Sequence, residues 1–178
     1  MTAVLLTGCA VDSGPAPGAV PDDLCTALDD PAALTLVPDE GSRVRPFVWR
    51  SENENRVQCR VAATGGPNLE IDFRRYGGGT PPRRPDLSPE GRADTAFRGI
   101  RTEHTQIWKC SFTPVKVARG TGELCEQPAG RAGMRGAFVS VLVRADRDFA
   151  VASLSGGQDL DRTRAVLLRH IDEMLTRM

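Results

Sequence analysis

The stretch GAFVSVLVRADRDFAVASLS, residues 136–155, decides the fold of this chain. It contains two segments rich in β-branched and aromatic residues, GAFVSVLVRA and DFAVASLS, and this composition predicts two strands. The ADRD segment between them, residues 145–148, has the residue types of a tight turn. The sequence therefore predicts a β-hairpin, in which the two strands pair in antiparallel fashion.

Three further strands are predicted on the N-terminal side of this hairpin, where they would form a meander. They are VRPFVWR (44–50), RVQCRVAA (56–63) and NLEIDFRRY (68–76). Pro46 places the first of them at a sheet edge or a strand start, because proline cannot donate a ladder hydrogen bond. In the third, Leu69, Ile71 and Phe73 are expected to face the core, and the charged residues 70, 72 and 74 to face outward. TQIWKCSF (105–112), extended by PVKVA, predicts another strand.

Helices are predicted at three places. An amphipathic C-terminal helix follows Asp159, and its apolar stripe consists of Leu160, Leu167, Leu168, Ile171, Met174, Leu175 and Met178. A middle helix begins with Ser88 as N-cap and Pro89 in the first turn, and is expected to end near Gly99. Short N-terminal helices are predicted at 22–28 and 30–34. The predicted fold class is α+β: an antiparallel sheet of five to seven strands with a C-terminal amphipathic helix, short N-terminal and middle helices, and the helices on one face.

Length and composition indicate one globular domain that does not bind nucleic acid. The chain has 178 residues, of which 40% are hydrophobic and 26% charged, with a formal net charge of zero. A nucleic-acid-binding domain usually has a basic excess. The chain also has no stretch near the roughly 18 consecutive apolar residues typical of a transmembrane helix.

LTGC, residues 6–9, resembles the bacterial lipobox: a branched apolar residue, small residues, and the cysteine that accepts a diacylglyceryl group. Residues 1–8 would then be the remnant of a signal peptide, although they are short and lack a basic residue, which departs from the usual pattern. Residues 10–21 are rich in proline and glycine, and this composition favours a solvated tether after a lipidated Cys9. The alternative is that TAVLL forms a short strand in a cytosolic protein.

The cysteine count agrees with a lipidated, extracytoplasmic chain. Removing Cys9 from the five cysteines leaves an even set: Cys25, Cys59, Cys110 and Cys125. Outside the cytoplasm, four cysteines most simply form two disulfides. Three pairings exist, and we favour 25–59 with 110–125 because each pair brackets one structural unit. The alternative is four buried free thiols, whereas the lack of a C-x-x-C motif disfavours a zinc site.

The sequence contains no recognisable catalytic motif. G-x-S-x-G and H-E-x-x-H are both missing. His104 is expected to form a surface polar pair with Glu103, and His170 to have a structural role near the end of the last helix. Asp146 and Asp148 suit turn chemistry better than calcium binding. We therefore expect no enzymatic activity, no cofactor and no metal.

The region around 77–89, GGGTPPRRPDLSP, is a candidate binding site. Arginines flank this long loop, and arginine forks pair with phosphates and carboxylates. The candidate contacts for an anionic ligand are Arg74, Arg75, Tyr76, Arg83 and Arg84. The alternative is a solvated loop without a ligand.

The chain resembles a family of secreted actinobacterial lipoproteins of unknown function. The shared features are the lipobox, the tether, an early cysteine and a Trp-then-Cys strand pair, represented here by Cys9, Cys25, Trp49 and Cys59. The resemblance implies an envelope location and a compact α+β domain over residues 22–178. The expected function is a lipid-anchored, extracytoplasmic module that binds an envelope protein or polymer. The alternative is an envelope hydrolase with an unrecognised active site. The sequence leaves the ligand and the oligomeric state open.

Overall fold

A computed structural model of the chain describes residues 20, 25, 31–37, 45–63, 65–78, 88–130 and 136–177. In chain order its elements are α1 (Pro31–Leu34), β1 (Arg45–Arg50), β2 (Glu54–Ala62), β3 (Asn68–Tyr76), α2 (Pro89–Ile107), β4 (Thr113–Val115), β5 (Thr121–Gln127), β6 (Ala137–Ala145), β7 (Asp148–Gly157) and α3 (Leu160–Thr176). No helix within these ranges is long and apolar enough to cross a membrane.

The strands form one seven-stranded sheet in the order β1-β2-β3-β7-β6-β5-β4. Every pair in it is antiparallel, which confirms the predicted α+β class. The predicted hairpin is the β6–β7 pair near the middle of the sheet, and Asp146 in its turn has a φ of 51°. The predicted meander is β1-β2-β3, with β1 at a sheet edge as Pro46 indicated.

The helices cover both faces of the sheet, so the prediction of helices on one face was wrong. The face covered by α3 is called the first face here, and the face covered by α2 the second. On β6, Val139, Val141 and Val143 join the core under α3, whereas Leu142 packs with α2. A strand covered on both faces is apolar at successive positions instead of alternating, as residues 137–143 are except at Ser140.

The middle helix is longer than predicted, and the predicted strand at 105–112 does not form. Helix α2 continues through Gly99 to Ile107, and the next strand starts only at Thr113. Its sheet-facing side follows a helical spacing of three and four residues, at Phe97, Ile100 and His104. The local preference of aromatic and β-branched residues for strands was overridden by this packing. The predicted start of α2 is confirmed, because the side chain of its N-cap residue Ser88 accepts a hydrogen bond from the Gly91 amide.

Two disulfides join strands of the sheet to segments outside it. Cys25 is bonded to Cys59 and Cys110 to Cys125, with Cα–Cα distances of 5.3 and 5.6 Å. The favoured pairing is therefore confirmed. The first bond anchors the N-terminal segment to β2, and the second joins the chain just after α2 to β5.

The N-terminal predictions fall mostly outside the described residues. The signal remnant and Cys9 lie there, as does all of the predicted tether except Val20. Val20 is buried and packs in the core under the first face. The folded domain therefore includes this residue, which the sequence had assigned to the solvated tether. Of the predicted 22–28 helix, only Cys25 is described.

Candidate functional site

A polar groove lies on the second face, along the C-terminal half of α2. Its volume is about 240 Å³. Side chains from β2, β3 and β7 form its floor, and His104 and Trp108 form part of its wall. Beside the helix, β2 and β3 present polar side chains on the second face, and the described residues leave this part of the sheet open to a ligand.

Asp72 is the centre of the groove floor. Its carboxylate accepts two hydrogen bonds from Arg56, at 2.8 and 2.7 Å, and two from Arg74, at 3.2 and 2.7 Å. The prediction that Asp72 faces solvent was wrong, since it is only 3% exposed. Burial opposes the charge on Arg74, but the contacts with Asp72 outweigh this effect and raise its pKa. The two guanidiniums are therefore fixed by a shared buried carboxylate.

Two further polar pairs continue the floor towards the other end of the strands. The Gln58 amide donates to Glu70 at 2.6 Å, and the Arg60 guanidinium donates to Asn68 at 2.8 Å. Each pair joins β2 to β3 across the sheet. The floor is thus a ladder of planar polar groups that hold one another in place.

His104 lies in the groove wall and is buried, so the expectation of a surface pair with Glu103 was wrong. Its ring meets Phe138 edge-on, with centroids 5.3 Å apart, and stacks more distantly on Phe112. Burial among these rings lowers the pKa of His104 to about 4. The imidazole is therefore neutral near pH 7, and its buried Nδ1 has no hydrogen-bond partner.

The low pKa of His104 predicts a specific loss of stability in mild acid. The unfolded imidazole titrates near pH ~6.5, so between that pH and 4 the unfolded state binds more protons than the folded state. The contribution of the neutral ring is complete above the unfolded pKa and is lost as the pH falls towards 4. We expect the His104→Leu variant to show a smaller drop in melting temperature between pH 7.5 and 4.5 than the wild type. His170 is present in both proteins, so equal drops would contradict the assignment.

Exposed aromatic side chains border the groove on the edge strand. Phe47 and Trp49 are 50% and 55% exposed. In the β1–β2 register they stand opposite Gln58 and Arg56, which places them on the second face beside the floor. Neither residue was predicted to be a site residue from the sequence. The signal was available, because a large apolar pair on a predicted edge strand has little core to enter.

The predicted arginine site is only partly assembled. Arg74 belongs to the groove floor, but Arg75 points to the first face, since side chains alternate along a strand. There Arg75 donates two hydrogen bonds to Asp148, at 2.8 and 2.9 Å, and this contact raises its pKa. Arg75 and Arg74 therefore cannot contact one ligand on the same face. Tyr76 is buried below the Arg92 guanidinium of α2.

The remaining candidates of this loop, Arg83 and Arg84, lie outside the described residues, as does most of 77–89.

The other polar residues singled out in the sequence have structural roles. Asp148 does more than shape the hairpin turn, because it also accepts a hydrogen bond from Arg119 at 2.7 Å. His170 is fully buried on the first face. Asp159 caps α3 by accepting from the Arg162 amide. Among the described residues, no three His, Cys, Asp or Glu side chains are placed to hold a metal ion.

Comparison with known proteins gives no assignment: the chain matches no family model and no curated protein. The groove must therefore be interpreted from its own chemistry. A hydrolase of the serine type would need a base within hydrogen-bond reach of its nucleophile. The buried Ser140 hydroxyl, on the same sheet face as the groove, has no hydrogen-bond partner, so it does not form such a pair with His104.

Proposed function

We propose that this chain is a lipid-anchored binding module on the extracytoplasmic face of a bacterial cell membrane, and that the polar groove is its ligand site. The arrangement around Asp72 carries the binding role. Arg56 and Arg74 are held in position by one carboxylate and line an open groove. Such preorganised polar groups limit the entropy lost when a ligand is bound.

The disulfides support the extracytoplasmic location. Structural disulfides persist in oxidising compartments and are rare in the cytoplasm of most bacteria. Both bonds here are buried, and each joins a strand to a segment outside the sheet. Pairing these four cysteines leaves Cys9 as the fifth, at the position where LTGC predicts lipidation. Two acyl chains would anchor the module stably, whereas one binds only reversibly.

The Cys9→Ala variant should release the protein from membranes. Both proteins would be expressed in a bacterial host behind a complete lipoprotein leader ending at Gly8, and their membrane and soluble fractions compared. The variant lacks the sulfur that receives the lipid, so we expect it in the soluble fraction and the wild type in the membrane fraction. Val11→Ala is the matched control and should remain membrane-bound. A Cys9→Ala variant that still sediments with membranes would refute the anchor.

A further inference from the structure

The charge balance of the groove is close to neutral. Its described lining carries two guanidiniums and three carboxylates, from Arg56, Arg74, Glu70, Asp72 and Glu103. A site for phosphate or an acidic polymer normally presents an excess of positive charge. The lining therefore gives no net attraction to an anion, even though it contains two arginines.

The local geometry also disfavours an anion. Each arginine already presents a nitrogen pair to Asp72, which is the bidentate geometry that a phosphate would need. Displacing these contacts would leave the Asp72 carboxylate buried without its partners, and an uncompensated buried charge is strongly unfavourable. Arg56 still has N–H donors beyond the two that it directs at Asp72, because a guanidinium carries five.

Neutral hydroxyl groups match the lining better than anions do. A hydroxyl both donates and accepts, so a row of hydroxyls can accept from guanidinium N–H groups and donate to carboxylate oxygens. The groove lining offers both kinds of partner, with the remaining Arg56 N–H groups as donors and the Glu70 carboxylate as acceptor. The groove thus favours a ligand that has many hydroxyls and no charge.

The exposed aromatic pair supplies the second half of such a recognition surface. Trp49 stands directly across from Arg56, and Phe47 from Gln58. Directly opposed residues on neighbouring strands have Cβ atoms about 5 Å apart. A ligand lying on the floor can therefore reach both aromatic rings with an apolar C–H face. Exposed aromatic rings rimmed by polar residues commonly mark binding sites.

We propose that the ligand of this groove is a neutral saccharide chain, hydrogen-bonded to the polar floor and stacked on Trp49. This inference rests on the proposed binding function and specifies its ligand class. It replaces the anionic ligand that the arginine-rich sequence had indicated. Because no charge is neutralised on binding, the affinity should change little with salt, whereas contacts with an anion weaken as salt screens them.

Titration calorimetry on the full chain tests this ligand class. The probes are neutral hexasaccharides of glucose, mannose, galactose and arabinose, compared with inorganic phosphate and phosphatidylglycerol vesicles. We expect saturable binding of at least one neutral hexasaccharide, with an affinity that changes less than twofold between 50 and 500 mM NaCl. The Trp49→Ala variant should weaken this binding at least tenfold without changing the melting temperature.

Val48→Ala is the matched control, because Val48 is 42% exposed on the same strand but faces the other side of the sheet. Its affinity should stay within twofold of the wild type. If no neutral hexasaccharide binds, or if binding does not depend on Trp49, the saccharide inference is overturned. If only phosphate or the anionic vesicles bind, the neutral saccharide is the wrong ligand class, but the proposed binding function is supported. The membrane anchor is decided separately by the Cys9→Ala variant.

Discussion

Replacing Asp148 with alanine should lower the free energy of unfolding by about 3–5 kcal/mol, the range measured when one partner of a buried ion pair is removed. The Asp148 and Arg75 side chains are 2% and 9% exposed, so the remaining guanidinium would stay buried without its carboxylate. Arg119, the second partner of Asp148, is more exposed, so water can replace part of the hydrogen bonding that it loses. Because small domains have a total stability of about 5–15 kcal/mol, this one substitution removes a large share of it.

Urea denaturation followed by circular dichroism measures this effect, and Asp94→Ala is the matched control. Asp94 forms ion pairs with Arg98 and Arg144, whose side chains are well exposed. Exposed ion pairs contribute about 0–1 kcal/mol, so the control should remain close to the wild type. Similar losses in the two variants would show that the buried location of Asp148 has no special importance.

Removing the Cys25–Cys59 disulfide should destabilise the domain by about 4 kcal/mol, according to the chain-entropy estimate for a loop of this length. The bond closes a separation of 34 residues, against 15 for Cys110–Cys125, for which the same estimate is about 3 kcal/mol. We therefore expect the double variant Cys25→Ala/Cys59→Ala to melt below Cys110→Ala/Cys125→Ala. Both should melt below the oxidised wild type.

A reducing agent provides an independent check on the disulfide prediction. Dithiothreitol should lower the melting temperature of the wild type by more than that of either double variant, because only the wild type has both bonds to lose. If a double variant has the same melting temperature as the oxidised wild type, the disulfide removed in that variant does not stabilise the domain. The alanine side chains keep the buried positions apolar, so the variants add no unpaired polar group to the core.

Strands β1, β2, β3, β6 and β7 were predictable because their signals are local. The alternation in NLEIDFRRY places Leu69, Ile71 and Phe73 on one face whatever their neighbours are, and the structure buries all three. The end of α2 was not predictable in this way. Gly99 disfavours a helix locally, and the packing of Ile100 and His104 on the sheet stabilises its continuation to Ile107.

The groove could not be derived from the sequence because it depends on register. Asp72 meets Arg56 only because β2 and β3 pair with Arg56 opposite Arg74 and Gln58 opposite Asp72. A shift of one residue would turn these side chains to the opposite face. The positive charge of the candidate arginines was visible in the sequence. The neutralisation of Arg56 and Arg74 by Asp72 could be recognised only once the strand pairing was known, and so could the location of Arg75 on the opposite face.

The order of the strands also has a kinetic consequence. Five of the six strand pairs join strands that follow each other in the chain, and only β3 with β7 joins distant segments. Arg75 and Asp148, which meet at this junction, are separated by 73 positions. Closing so long a loop costs more entropy than forming any of the short hairpins, and non-local contacts of this kind slow folding. The described sheet thus consists of two meanders, β1–β3 and β4–β7, and we expect the pairing of β3 with β7 to be the slowest step of its folding.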